Sequence, residues 1–168
     1  IADEVQSGFS RSGNFFAFQQ NNIKPHVITM AKGMGNGFPI GGILVHPDLK
    51  PKYGMLGTTF GGNHLACSAS LAVLEIIKKD KLQHHAKSME TYFRAKAEKI
   101  KGIKIKGRGL MLGLAFDFEV GPLRKSLIYE KNIFTGGSSN KNVLRILPPL
   151  TVQKKHFDRF FEALEDLL

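Results

Sequence analysis

The residue best suited to covalent chemistry in this sequence is a lysine at the end of an apolar run. Lys32 follows the run HVITM (residues 26–30) and precedes Gly33, Gly35 and Gly37. Because glycines leave room beside it, its amine could meet a planar ligand at close range, and burial would lower its pKa toward that of a nucleophile. A solvated loop lysine is the competing interpretation. The glycine spacing matches neither a P-loop nor a dinucleotide-binding fingerprint.

The segment DEVQ (residues 3–6) places two carboxylates and an amide directly after two apolar residues. Ligand contacts collect at the carboxyl ends of strands in α/β sheets. If the segment leaves a strand there, Asp3 could hold a protonated heterocyclic nitrogen and Gln6 could donate a hydrogen bond to a ring oxygen. An acidic turn explains the same residues, and the chemical interpretation gains weight only together with Lys32.

Two further segments could bind anions. Thr58 and Thr59 precede a glycine pair in GTTFGGNHLAC. Hydroxyl and free N–H groups before a helix suit a phosphate, although helix capping by Asn63 explains the same pattern. Arg145 lies between two apolar residues of a predicted strand and would point to the opposite face, where a guanidinium can bind a carboxylate through two parallel hydrogen bonds. A surface ion pair is the alternative for Arg145.

Composition and charge narrow the remaining classes of function. The formal charge of +10 favours anionic ligands or acidic partners, but the lysines fall at spacings typical of solvated helix faces, so nucleic acid is not expected. The histidines share no ligand spacing, which argues against a metal site. A lone cysteine, Cys67, excludes an intrachain disulfide. With no signal peptide or membrane-spanning run, we expect a cytoplasmic protein that does not bind membranes.

Hydrophobic periodicity predicts the elements that position these residues. Helices are predicted from the N-cap Asn63, from Leu82 to just before Gly102, at Pro122, and at the carboxyl end of the chain. Short apolar or alternating runs predict strands at 26–30, 40–45, 103–105, 110–118 and 143–147.

The pattern changes near residue 80 and predicts an α/β protein with two regions. Short apolar strands and glycine-rich loops before it indicate part of a largely parallel sheet. One-faced alternating strands with amphipathic helices after it indicate a small domain with a mainly antiparallel sheet. We therefore place the boundary between residues 1–80 and 81–168.

Five motifs occur in the order found in class III aminotransferases: DEVQSGFSRSG, AKGMGNGFPIGG, GTTFGGNHLAC, GRGLMLGL and LRILPPL. The sequence resembles this pyridoxal-phosphate-dependent family along its whole length, and acetylornithine and succinylornithine aminotransferases most of all. The resemblance implies a fold type I architecture. Residues 1–80 would form the carboxyl-terminal portion of the large cofactor-binding domain with its mixed sheet, and residues 81–168 would form the small domain.

The resemblance also implies a role for each site residue. Lys32 matches the lysine that binds the cofactor covalently and moves the substrate proton, and Asp3 matches the carboxylate that keeps the pyridine nitrogen protonated. Val5 matches the residue that packs on the cofactor ring, and Gln6 matches the donor near the ring hydroxyl. Thr59 matches the threonine that reaches the cofactor phosphate of the neighbouring subunit, and Arg145 matches the arginine that anchors the substrate α-carboxylate. His64 stands where many members have proline.

The activity so implied is transfer of an amino group from N-acetylornithine or N-succinylornithine to 2-oxoglutarate, in arginine metabolism, by a homodimer. Ornithine or 4-aminobutyrate are alternative donors. A basic binding module without catalysis is the rival from another class. Three features of the family have no match in this sequence: the phosphate-binding loop, the aromatic residue stacked on the ring and a second arginine for the substrate. We therefore expect this chain to need an amino-terminal half for activity.

Overall fold

The computed structural model describes residues 1–168 and confirms the predicted α/β class. The chain forms two compact units, Ile1–Gln83 and His84–Leu168. The strands are β1 (Ala2–Asp3), β2 (Val27–Met30), β3 (Gly42–Val45), β4 (Lys104–Arg108), β5 (Met111–Ala115) and β6 (Val143–Ile146). The helices are α1 (His64–Lys79), α2 (Leu82–Ala97), α3 (Gly121–Tyr129) and α4 (Lys154–Glu165), with short 3₁₀ turns at Ala17–Gln20 and Lys32–Met34.

The sheet of the first unit has the order β1-β2-β3. β1 runs parallel to β2, as expected for a largely parallel sheet, whereas β3 runs antiparallel to it, so the three strands form the mixed sheet that the resemblance implies. The reason lies in the connection. A parallel pair needs a crossover, usually through a helix, but residues 31–41 contain only a 3₁₀ turn and glycine-rich loop, which returns the chain beside β2 in the opposite direction.

Helix α1 begins where the capping residue predicts. The Asn63 side chain accepts a hydrogen bond from the Ala66 N–H at 3.0 Å, which confirms its role as N-cap. The apolar face predicted for this helix is only partly covered within the chain. Its buried residues are Ala66, Ser70 and Ile77, whereas its exposed apolar side chains are Leu65, Leu71, Leu74 and Ile76.

The second unit is built on an antiparallel sheet of order β4-β5-β6, as predicted. The alternation predicted from Leu110 onward places Leu112 and Leu114 in the core, with exposed fractions of 2% and 0%. The strand ends at Ala115, and Phe118 is exposed, so the alternating face is shorter than predicted. Pro122 lies in the first turn of α3, where its missing N–H costs nothing.

Helices α2 and α4 carry aromatic residues into this core. Phe93 of α2 contacts Phe157, Phe160 and Phe161 of α4, with ring centroids 5.0–6.2 Å apart. Buried aromatic pairs of this kind contribute about 0.5–1.5 kcal/mol each beyond the area they bury. They fix the two helices against the sheet that carries β6.

A polar cluster joins the same two helices at the surface. The Asp158 carboxylate accepts a hydrogen bond from the Tyr92 hydroxyl at 2.5 Å and pairs with the Lys96 ammonium at 2.6 Å. Hydrogen bonds from Lys96 and then Tyr92 lower the pKa of Asp158 below its ordinary value of 3.8. The same carboxylate raises the pKa of Lys96 above 10.5 and that of Tyr92 above 10.0.

None of the helices combines the length and the apolar composition needed to cross a bilayer.

Candidate active site

Two of the predicted site residues lie at one edge of the first sheet. Because β1 and β2 are parallel, both end at the same edge, and Asp3 of β1 is paired in register with Thr29 of β2. Lys32 follows the end of β2 by two residues. Gly42, at the start of the antiparallel β3, is paired with Met30 at this edge. The sheet thus presents a carboxylate and an amine on neighbouring strand ends.

The Asp3 carboxylate is oriented by its surroundings. Its Oδ1 accepts a hydrogen bond from the Val5 N–H at 3.0 Å and a long one from the Thr29 hydroxyl at 3.4 Å. Asp3 itself is exposed, whereas Val5 and Gln6 are half-buried. The contribution of Thr29 depends on strand register, and no local pattern in the sequence could have indicated it.

Lys32 adopts a backbone conformation that is uncommon for lysine. Its φ is +46°, in the left-handed region, at the start of the 3₁₀ turn Lys32–Met34. Strained conformations of this kind cluster at functional sites. The side chain is exposed within this chain, because the glycine-rich loop around it supplies no bulky side chains to cover it.

The loop after Lys32 depends on a close approach at one glycine. A Cβ atom built at Gly35 would lie 2.3 Å from the Phe38 carbonyl oxygen and 2.6 Å from Cγ2 of Ile40. Any side chain there would open the turn. Gly35 therefore keeps the loop tight enough for β3 to pair with β2 directly behind Lys32.

A buried carboxylate beside Asp3 holds the segment that follows β1. Glu4 is 2% exposed, and its Oε2 accepts hydrogen bonds from the Ser7 hydroxyl at 2.6 Å and the Ala17 N–H at 2.9 Å. Its Oε1 accepts a third from the Phe18 N–H at 2.8 Å. The carboxylate thus closes residues 4–18 into a loop. No local pattern in the sequence indicates these contacts, since the Ala17 and Phe18 partners are 13 and 14 positions away along the chain.

This loop reaches the lysine segment through one aromatic residue. Phe9, 5% exposed and with a φ of +53°, packs on Phe15 and Phe16. A Cβ built at Gly33 would lie 3.5 Å from the Phe9 Cβ, which is ordinary van der Waals contact. The loop closed by Glu4 therefore supports the backbone next to Lys32.

The threonine pair lies in the loop before α1. Thr59 is exposed. Thr58 accepts a hydrogen bond from the Gly61 N–H at 3.1 Å and lines a cavity of about 600 Å³ with Gly61, Gly62 and Asn63. Within this chain, Thr58 thus helps to shape the loop, whereas Thr59 is exposed.

Arg145 lies in the second unit, on the exposed face of β6, while its neighbours Leu144 and Ile146 are buried. It lines a cavity of about 570 Å³ together with Thr135, Gly136 and a largely apolar wall. The rest of that wall is formed by Ile133, Phe134, Ile146, Leu147, Pro148, Pro149, Thr151, Val152, His156, Phe157 and Phe160. A cationic fork at the side of an apolar cavity suits a carboxylate ligand with a hydrocarbon chain.

The first unit contains Asp3, Val5, Gln6, Lys32 and Thr59, and the second contains Arg145. The donor set at the β1–β2 edge fits pyridoxal phosphate. An oriented carboxylate suits a protonated ring nitrogen, and a nearby primary amine suits the aldehyde carbon. No group of three or more His, Cys, Asp or Glu side chains comes together in a way that could hold a metal ion.

The sequence profile of the class III aminotransferases matches residues 1–168. An acetylornithine aminotransferase of Aquifex aeolicus (strain VF5) is 43% identical over 171 residues, which cover 100% of this chain and 44% of that protein. The alanine–glyoxylate aminotransferase 2 homolog 2, mitochondrial, of Arabidopsis thaliana is 40% identical over 185 residues, covering 98% of this chain and 38% of that protein.

Solved structures give the same result. An ornithine aminotransferase of Toxoplasma gondii, crystallised with oxidised glutathione and reported with partial occupancy of PLP at its active site, matches with a TM-score of 0.86 at 27% identity. The match covers 98% of this chain and 42% of that chain. The predicted fold type I architecture is confirmed, and the chain spans less than half the length of these relatives. From residue 1 to residue 168, the chain belongs to the class III aminotransferase family.

Proposed function

We propose that this chain is part of a pyridoxal-phosphate-dependent aminotransferase that transfers an amino group from N-acetylornithine or N-succinylornithine to 2-oxoglutarate. The observation that carries the proposal is the placement of Asp3 and Lys32 at the ends of two parallel, register-paired strands. The relatives named as aminotransferases support the same reaction class.

Each residue at this edge has a task. Bound pyridoxal phosphate supplies an electron-poor ring that accepts the electron pair released when the substrate C–H bond breaks. Asp3, whose Oδ1 is engaged by Val5 and Thr29, uses its carboxylate to hold a proton on the ring nitrogen. The Lys32 amine would hold the cofactor through its aldehyde carbon and, once the substrate amine has displaced it and freed it, would accept and return the proton of the substrate carbon. Val5 would pack on the ring, and Gln6 would donate to the ring hydroxyl.

Arg145 anchors a substrate carboxylate through its planar fork. In 2-oxoglutarate a carboxylate is attached directly to the reacting carbonyl carbon. In N-acetylornithine the carboxylate lies at the opposite end of the molecule from the transferred amine. We therefore assign Arg145 to 2-oxoglutarate and its product, glutamate.

The choice of amino donor rests on similarity, since relatives at 40% identity or above include both an acetylornithine and an alanine–glyoxylate aminotransferase. Ornithine is an alternative donor because an ornithine aminotransferase shares the fold. 4-Aminobutyrate remains a further alternative. The rival interpretation, a basic binding module without catalysis, is supported by the net charge of +10. Such a module would bind polyanions with an affinity that falls steeply as the salt concentration rises.

The partners proposed are the remaining portion of an aminotransferase chain and a second subunit, in the cytoplasm. Coverage of 44% of a relative and the exposed apolar side chains of the first unit support this. Those side chains include Ile43, Leu44 and Val45 of β3 and Leu65, Leu71 and Ile76 of α1. The Thr59 hydroxyl would reach the cofactor phosphate of the second subunit. Alone, the chain should associate or aggregate, and a monomer that is active by itself would contradict this part of the proposal.

The test is covalent labelling in the complete protein that contains these residues. Borohydride reduction after incubation with pyridoxal phosphate should attach a pyridoxyl group to the peptide containing Lys32. Lys32→Arg should abolish the label and the amino transfer, while Lys50→Arg, at an exposed loop lysine, should alter neither. Labelling that persists on another peptide in Lys32→Arg would refute the assignment.

A further inference from the structure

Arg145 has a glycine as its cross-strand neighbour on both sides. In the sheet it is paired with Gly113 of β5. On its other side it forms an isolated antiparallel bridge with Gly136. Two backbone hydrogen bonds close this bridge, from the Gly136 N–H to the Arg145 carbonyl at 2.8 Å and from the Arg145 N–H to the Gly136 carbonyl at 2.9 Å. The arginine therefore lies in a trough that has no side chain on either flank.

The Arg145 side chain uses only one flank of that trough. A Cβ atom built at Gly136 would lie 2.7 Å from the Arg145 Nε and 3.3 Å from its Nη2. A Cβ built at Gly113 would instead first meet Val143, Leu144 and Lys106. The guanidinium thus lies across the backbone of Gly136, beside the cavity that both residues line.

We propose that Gly136 is a positioning residue that sets the direction of the Arg145 guanidinium, and through it the affinity for 2-oxoglutarate. This inference rests on the proposed function and extends it to a residue that touches neither substrate nor cofactor. Two parallel hydrogen bonds to a carboxylate require the fork to lie at a defined angle. Since the bridge fixes the backbone, the space above Gly136 decides that angle.

The Gly136→Ala variant isolates this effect. Its backbone has no positive φ that would strain an alanine, and the atom that it meets most closely, the Arg145 Nε, belongs to the movable part of the side chain, whereas the Arg145 Cβ at 3.3 Å needs to give by only a few tenths of an ångström. The fold should therefore survive, while Nε must shift by several tenths of an ångström. Misplacement of a binding group on this scale lowers activity by about 10- to 100-fold. We expect a rise in KM for 2-oxoglutarate of that size, with little change for an aldehyde acceptor that has no carboxylate.

Gly137→Ala is the matched control. It is the adjacent position, and its Cβ would meet the end of the Arg124 side chain at 3.0 Å rather than Arg145. It should leave the KM for 2-oxoglutarate unchanged. Arg145→Lys provides the second comparison. If Gly136 acts through the guanidinium, Gly136→Ala should have no further effect on KM in the Arg145→Lys background.

A spectroscopic readout separates this inference from the proposed function. With arginine labelled at Nε in the protein free of substrate, Gly136→Ala should move the Arg145 resonance, and Gly137→Ala should not. If the complete wild-type protein that contains these residues transfers no amino group, the proposed function fails whatever the resonance does. If the wild type is active and Arg145→Lys impairs it, but Gly136→Ala leaves KM unchanged or impairs both backgrounds equally, the positioning role is refuted.

Discussion

Glu4 offers the sharpest test of how the candidate site is supported. It is the only charged side chain among the buried residues and, at 2% exposed, the nearest carboxylate in sequence to Asp3. Three donors converge on it, from Ser7, Ala17 and Phe18. Glu4→Gln keeps the size of the side chain but replaces one acceptor oxygen with a donor. The perturbation therefore removes an acceptor without creating a cavity.

The expected magnitude follows from which bonds are lost. The amide nitrogen is best placed at the Oε1 position, where only the Phe18 N–H is affected. The loss of one hydrogen bond to a charged acceptor costs about 1.5–3 kcal/mol, and a donor left unpaired in the interior adds about 1–3 kcal/mol. We expect the free energy of opening of the loop at residues 4–18 to fall by about 3 kcal/mol.

Hydrogen exchange at the Ala17 and Phe18 amides measures this quantity directly. A fall of that size makes exchange about 100-fold faster. Glu119→Gln is the control, because Glu119 is 65% exposed and pairs with Lys141 at 3.5 Å, so it should change stability by less than about 0.5 kcal/mol. Exchange rates in Glu4→Gln that stay within threefold of wild type (~0.6 kcal/mol) would show that the carboxylate does not hold the loop.

Three further predictions concern other parts of the chain. In the complete protein, Thr59→Val should weaken cofactor affinity by about 1.5–3 kcal/mol, the contribution of one hydrogen bond to a charged group; an absorbance titration measures it, and unchanged affinity would leave Thr59 with no role in phosphate binding. Arg145→Lys should lower kcat/KM for 2-oxoglutarate by about 10- to 100-fold, because lysine keeps the positive charge but cannot form two parallel hydrogen bonds to a carboxylate. The absorption spectrum of the bound cofactor should stay intact. Loss of the cofactor in this variant would show that Arg145 has a structural role and does not anchor the substrate. Asp158→Asn should lower the unfolding temperature near neutral pH. Because the pKa of Asp158 is lowered below 3.8, the stabilisation of the fold by its carboxylate is present above pH 3.8 and is lost as the pH falls through the lowered pKa. Because the pKa of Lys96 is raised above 10.5, the stabilisation of the fold by its ammonium is complete below pH 10.5 and is lost as the pH rises through the raised pKa. The difference between variant and wild type should therefore vanish in strong acid, and a difference that persists there would contradict the linkage.

Local patterns in the sequence were sufficient for most of the secondary structure. The N-cap at Asn63, the apolar stripe of α2 and the alternation from Leu110 to Leu114 depend on residues within a few positions of one another. Capping, helical periodicity and strand alternation act over that range, so they can be recognised without knowledge of the fold. The family resemblance came from the same source, since each motif is a short contiguous segment, and its match over residues 1–168 confirmed it.

What the tertiary structure alone decided concerns residues that are distant in sequence. Local pattern did not predict the direction of β3 or the contact of Thr29 with Asp3 across 26 positions. It also did not predict that Glu4 is buried beneath the Ala17 and Phe18 amides. The pairing of Arg145 with Gly136 belongs to the same group. Strand alternation states which face a residue occupies but not which strand lies beside it. Exposure likewise depends on what packs over a residue, which is why the apolar face of α1, expected to be covered, lies partly open to solvent within this chain.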